Sequence, residues 1–275
     1  MNTRTILCLL LAFLGAFTLA NANDSDQVIS LESLLKEMID RSELTRTPNP
    51  AYLGKSASSY DRESKVNNPD DGLYVEKDGR DWGKGWFANR DFAQYIREEI
   101  NDGRNETVLM EDTGPGAIVR WWAPSEKKRV KWSPSTGKDI IRIYLDGSSS
   151  PVIEMRPDEL VGSNKLVPYP LSFMASNDEA DEKWRGRNLY LPIPYAKSCK
   201  VTWEGTPFYY QIGYRSYPEG TKVKSFSMDQ LESSEETIKR VAEKLTTGSA
   251  QTGIKSFMKT EAVLAPEQST HIEVD

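Results

Sequence analysis

Residues 199–205 read CKVTWEG, and the alternation in this stretch decides the fold. Successive side chains of an extended chain point to opposite faces, so Cys199, Val201 and Trp203 share one side while Lys200, Thr202 and Glu204 share the other. The same period of two recurs in GAIVRWW (116–122), KDIIRIYLDG (138–147), PFYYQIGYRSY (207–217) and GTKVKSFS (220–227). These runs are rich in β-branched and aromatic residues and are separated by Pro, Gly and Ser. Strands that follow one another with no helices between most of them pair antiparallel. The expectation is a mainly β chain, an antiparallel jelly-roll β-sandwich with flanking α-helices.

Helical spacing surrounds these runs. In SLESLLKEMIDRSEL (30–44), Leu31, Leu34, Leu35, Met38 and Ile39 fall on one face behind Ser30 as N-cap, which predicts a helix over 31–42. Phe92, Tyr95, Ile96 and Ile100 share a face over 89–101 with Gly103 just beyond, which predicts a second helix. Leu231, Ile238, Val241 and Leu245 give a crossover helix over 228–247. At the N-terminus an apolar run from Ile6 to Ala20 precedes Ala20-Asn21-Ala22, the pattern of a secretory signal cut after Ala22, so the protein is expected to be secreted or periplasmic. The run is short for a membrane span, and no other stretch approaches ~20 apolar residues. The chain then divides into a signal (1–22), an N-terminal helix and linker (23–50), the sandwich (51–227), the crossover helix (228–247), and a linker with a first strand of a second roll (248–275).

Composition narrows the chemistry. A net charge of −6 leaves no basic excess for phosphates, which argues against a nucleic-acid partner. Once Cys8 leaves with the signal, Cys199 is the one cysteine of the mature chain, and its place in CKVTWEG reads as a buried small apolar side chain. The one histidine, His271, is four residues from the end, so a Ser-His-Asp mechanism and a zinc site are both disfavoured, and no metal or cofactor is expected. GPGAI lacks the Lys-Ser/Thr of a phosphate loop and leads into a strand.

Five ordered blocks resemble the glycoside hydrolase family 172 group, also called domain of unknown function 2961: SYDRESKVNNPDDG (59–72), EDTGPGAIVRWW (111–122), IRIYLDGSSSPVIEM (141–155), YLPIPYAKSCKVTWEG (190–205) and FYYQIGYRSYPEGTKVKSF (208–226). The resemblance covers roughly residues 56–227 and implies the first of two tandem jelly rolls, assembly as a homo-oligomer of trimers or their multiples, and a carbohydrate partner. It further implies cleavage or rearrangement of fructofuranosides and arabinofuranosides. The catalytic glutamates of such proteins lie in the second roll, one of them near a Gly-Thr-Glu-Asp motif that this sequence does not contain, so no catalytic residue is carried over. The expected function is an exported carbohydrate-active protein resembling furanosidases, without a complete active site in this chain. The alternative is a non-catalytic glycan-binding or structural jelly-roll module.

Several residues are candidates for sugar contact. Glycoside hydrolysis by the usual route needs two carboxyl groups about 5–5.5 Å apart for retention, or about 6.5–9.5 Å for inversion. The best local pair is Asp70-Asp71 in NNPDDG, with Asn67 beside it, and these side chains serve equally well a turn, a sugar hydroxyl or a calcium ion. Asp61 and Arg62 offer an acid and a base to hydroxyls on a loop, or form an ion pair that pins it. Trp82 and Trp86 stand among glycines, where an indole face stacks on a sugar or packs into a core. Arg120 and Trp122 point one way along their strand and Trp121 the other, so both sheet faces need cover, from the second sheet and from helices or a neighbouring subunit.

Overall fold

The computed structural model describes residues 28–60, 94–125, 139–175, 185–205, 207 and 209–248. The strands are β1 (Leu53–Ser58), β2 (Arg97–Asn101), β3 (Arg104–Thr113), β4 (Gly116–Ser125), β5 (Ile140–Leu145), β6 (Ile153–Met155), β7 (Ser172–Met174), β8 (Arg185–Leu189), β9 (Ile193–Tyr195), β10 (Ser198–Glu204) and β11 (Gln211–Ser216). One sheet runs β1-β11-β4-β8-β7, with β9 also on β4, and the other runs β2-β3-β10-β5-β6. Every strand pairing is antiparallel. The chain changes sheet from β1 to β2, from β3 to β4, from β4 to β5, from β6 to β7 and on both sides of β10, and so closes as an antiparallel jelly-roll β-sandwich.

The CKVTWEG run lies at the centre of the five-stranded sheet, where β10 is flanked by β3 and β5. Cys199, Val201 and Trp203 enter the core with Ile118, Trp121, Ile141, Ile143 and Ile212. Burial pushes the Cys199 thiol up, and the carboxylates of Asp112 and Asp146 add to the effect. The thiolate is the reactive form, so Ellman's reagent is expected to leave Cys199 untouched in the folded protein and to react once guanidinium unfolds it. Prompt colour from the native protein would contradict this placement.

The Gly-Pro-Gly of EDTGPGAIV carries the chain from one sheet to the other, with Gly114 at φ +97°. Gly116 is needed for a different reason: a Cβ there would lie 2.3 Å from the ring of Tyr195. That ring is wholly buried, and its hydroxyl donates to Asp112 at 2.9 Å.

Four expectations are corrected. The helix over 89–101 is contradicted at its described end, because Arg97–Asn101 is β2, paired with β3. Asp102 (φ +51°) and Gly103 (φ +78°) form the two-residue hairpin loop that an Asp-Gly favours. The four-residue spacing of Ile96 and Ile100 has no helical meaning, since both side chains are exposed, Ile100 on an edge strand and Ile96 just before it. GTKVKSFS forms no strand but a single parallel bridge, Val223 to Ile29, which ties the N-terminal segment to the sandwich. The helix over 31–42 stops earlier: α1 spans Leu31–Glu37, and a 3-10 turn follows at Arg41–Thr45 with Asp40 capping it. Ser30 caps α1 in a reciprocal pair with Ser33. A one-turn helix, α2 (Pro157–Leu160), lies between β6 and β7. Residues 228–247 make two helices, α3 (Met228–Ser233) and α4 (Glu235–Thr247), which meet at Ser234.

Nothing lies within 4 Å of a Cβ built at Gly103, so only backbone conformation opposes a side chain there. Gly103→Val is expected to cost about 1–2 kcal/mol, the penalty of a left-handed residue with a Cβ. Urea unfolding checks this as a lower midpoint with an unchanged slope.

Candidate functional site

Two concentrations of polar chemistry stand out, one on each outer face of the sandwich. The first is a half-open cleft of about 630 Å³ between α1, the 3-10 turn and the six-stranded sheet. Its geometry begins with the apolar stripe of α1. Leu34 packs against Ala117 and Tyr217 on the outer sheet face, while Leu31 and Leu35 join the main core. Seated this way, the last turn of α1 brings Glu37 to Arg215 of β11, and the two form a bidentate pair at 2.8 and 2.7 Å. Burial works against the Arg215 charge, but Glu37 outweighs it and raises the guanidinium pKa. The guanidinium lies 4.3 Å from the ring centroid of Tyr52, and Tyr52 meets Tyr217 edge-on at 6.0 Å. Burial raises the Tyr217 phenol, with Arg215 opposing. Its hydroxyl lies beside the Arg215 guanidinium but makes no well-aligned hydrogen bond among the described residues.

The second concentration covers the outer face of the five-stranded sheet and centres on Glu106, whose side chain is wholly buried. Its Oε1 accepts from Arg104 Nε at 3.0 Å, Tyr144 Oη at 3.1 Å and Arg142 Nη1 at 3.2 Å. Its Oε2 accepts from Thr202 Oγ1 at 2.7 Å and Asn101 Nδ2 at 3.4 Å. Arg142 also reaches Glu204 at 2.7 Å and Glu154 at 3.0 Å. Around this core, Arg97 bridges Glu99 and Glu111, and Lys200 binds Glu99 beneath the Tyr144 ring.

Three glutamates around one arginine suggest the two-carboxylate arrangement of a glycosidase, but the chemistry of Glu106 does not fit that role. A general acid needs a raised pKa, and a nucleophile needs a lone pair facing the substrate. Burial alone would raise Glu106, yet the hydrogen bonds from Thr202, Arg104, Asn101 and Tyr144 outweigh it and hold the carboxyl below the usual glutamate range. Both oxygens are occupied by donors from the protein. Glu106 is a structural charge that fixes four strands of one sheet.

The family model of the GH172 first beta-sandwich domain matches residues 50–234, two thirds of the chain. The chain belongs to the GH172 family. No curated protein matches it. The GH172 match begins after α1 and the 3-10 turn, so the cleft joins the family sandwich, through Tyr52, Arg215 and Tyr217, to a segment that precedes it.

Of the residues expected at a sugar site, Asp61, Arg62, Asn67, Asp70, Asp71, Trp82 and Trp86 lie outside the described residues. Arg120 and Trp121 are described, and they part company. Arg120 is exposed on β4 beside Gly213. Trp121 is wholly buried between the sheets, so it supports the core and presents no face to a ligand. Trp122 is half-buried over Gly186, where a Cβ would come within 2.6 Å of the indole nitrogen. Arg120, Trp121 and Trp122 do not line the cleft. The residues that do, Glu37, Tyr52, Arg215 and Tyr217, carried one sequence signal: the outward tyrosine and arginine of a strand with two covered faces. Among the described residues, no group of three or more His, Cys, Asp or Glu forms a metal site, and no helix is long and apolar enough to cross a membrane.

Proposed function

We propose that this protein is an exported carbohydrate-active protein directed at furanoside linkages, and that residues 1–275 supply scaffold and sugar contacts rather than a complete catalytic pair. The observation that carries the reading is the GH172 sandwich match over residues 50–234, which makes the chain a glycoside hydrolase-family module. The furanoside preference and a trimer-based homo-oligomer follow from the ordered sequence blocks that resemble that family. Export is supported by the apolar run that ends at Ala20-Asn21-Ala22. Glu106, the most convergent carboxylate among the described residues, is consumed by the fold and is not put forward as a catalytic group.

The purified chain, incubated with nitrophenyl arabinofuranosides and fructofuranosides, is expected to release no nitrophenol above background. On a glycan array it is expected to retain furanose-containing glycans. Turnover by the chain alone would sink the division of labour, and an empty array would sink the carbohydrate reading. Light scattering of the same sample reports the assembly, expected as trimers or their multiples.

A further inference from the structure

We propose that the cleft between α1 and the outer face of the six-stranded sheet is a binding site for an uncharged sugar ring. The proposal rests on the carbohydrate-directed reading for its ligand class, and on the cleft alone for its location.

Four observations point the same way. The volume of about 630 Å³ falls within the roughly 300–1,000 Å³ typical of small-ligand sites. The walls include Tyr52, Tyr190 and Tyr217, which give flat apolar surface with polar rims, suited to the apolar face and hydroxyl edge of a sugar. The ionic lining is balanced, with Glu37, Asp40 and Glu43 against Lys36, Arg41 and Arg215. Three acids and three bases give a charged ligand no net opposite field, whereas hydroxyls, which both donate and accept, find both kinds of group. The Glu37–Arg215 pair offers them in one plane, since two bonds use only part of the guanidinium's five N–H donors and of the carboxylate's lone pairs. Finally, Tyr217 is nine-tenths buried and lines the cleft, and its hydroxyl lies beside the Arg215 guanidinium without a well-aligned hydrogen bond. A buried hydroxyl left unmatched costs free energy that a ligand hydroxyl recovers.

The cleft also explains why α1 is fastened so firmly. The capping pair Ser30–Ser33, the bridge from Ile29 to Val223 and the Glu37–Arg215 pair hold one wall against the other. A ring bound between them would contact both and slow the opening of α1.

Hydrogen exchange on the full chain tests this, with methyl arabinofuranoside, methyl fructofuranoside and a methyl glucuronide as probes. The neutral furanosides are expected to slow amide exchange in residues 31–52 and 211–217, and the anionic glucuronide is expected to leave it unchanged. Tyr217→Phe removes a hydroxyl that lies beside Arg215 without a well-aligned hydrogen bond in the free protein, so its unfolding temperature should fall by no more than about 2 °C. Its affinity for the furanosides should drop about three- to tenfold, the worth of one hydrogen bond. Furanoside binding that persists in Tyr217→Phe with no protection near α1 would overturn the cleft and leave the carbohydrate reading standing. Absence of binding to any probe would overturn both, and preference for the glucuronide would overturn the neutral-ligand assignment.

Discussion

Glu106→Ala is expected to lower the folding stability by about 2–4 kcal/mol, the cost of removing the buried carboxylate from a buried hydrogen-bond network and leaving its arginine only two half-exposed glutamates. Arg142 is the charge in question: its side chain is almost wholly buried, and Glu106 is the one of its three glutamates that is buried with it. The substitution also strips acceptors from Thr202, Asn101 and Tyr144. Glu106→Gln keeps the shape and one acceptor oxygen, so it should fall between the wild type and alanine. The unfolding temperature should drop by on the order of 10 °C for alanine. A loss below about 1 kcal/mol in urea unfolding would show that the network is not what fixes these strands. The same carboxylate sets an acid limit. Its folded pKa lies below its unfolded value, so its contribution is complete above the ordinary glutamate pKa and is lost as pH falls through the folded one. Wild-type stability should therefore decline on the acid side of that window, and the decline should be shallower in Glu106→Gln.

Trp121→Ala is expected to cost about 3–5 kcal/mol through lost burial and the cavity left between the sheets. Its neighbour gives the control, because Arg120 is exposed and Arg120→Ala should stay within about 0.5 kcal/mol of wild type. Two adjacent residues on one strand thus predict opposite outcomes in the same chemical-denaturation experiment. A small effect at Trp121 together with a large loss of glycan binding would return that indole to a ligand-facing role.

These two cases also mark what was legible from sequence. Period-two runs around Cys199 and Trp121 specified strands because each residue's side follows from its neighbours alone, and the two-sided character of GAIVRWW was visible at once. The 97–101 segment misled because Ile96 and Ile100 imitate a helical face, while the local Asp102-Gly103 turn, a stronger signal, fixes a hairpin. GTKVKSFS alternates like a strand but finds one bridging residue rather than a partner strand, and no local pattern reports the absence of a neighbour. The side of Thr202 was legible but its burial was not, because its cover is Glu106, 96 residues away. Glu37 and Arg215 are separated by 178 residues, so their pairing exists only once α1 is seated on the sheet. Contacts of that separation are set by topology, and the sequence periodicity that gives the topology does not name the pairs.

Calorimetric titration of the purified chain with an arabinofuranosyl or fructofuranosyl oligosaccharide tests most directly whether it is a carbohydrate-directed module of the GH172 family. Saturable binding to a furanose ligand, with none to a matched pyranose oligosaccharide, is the predicted result. Heats indistinguishable from dilution for every furanose ligand would contradict it.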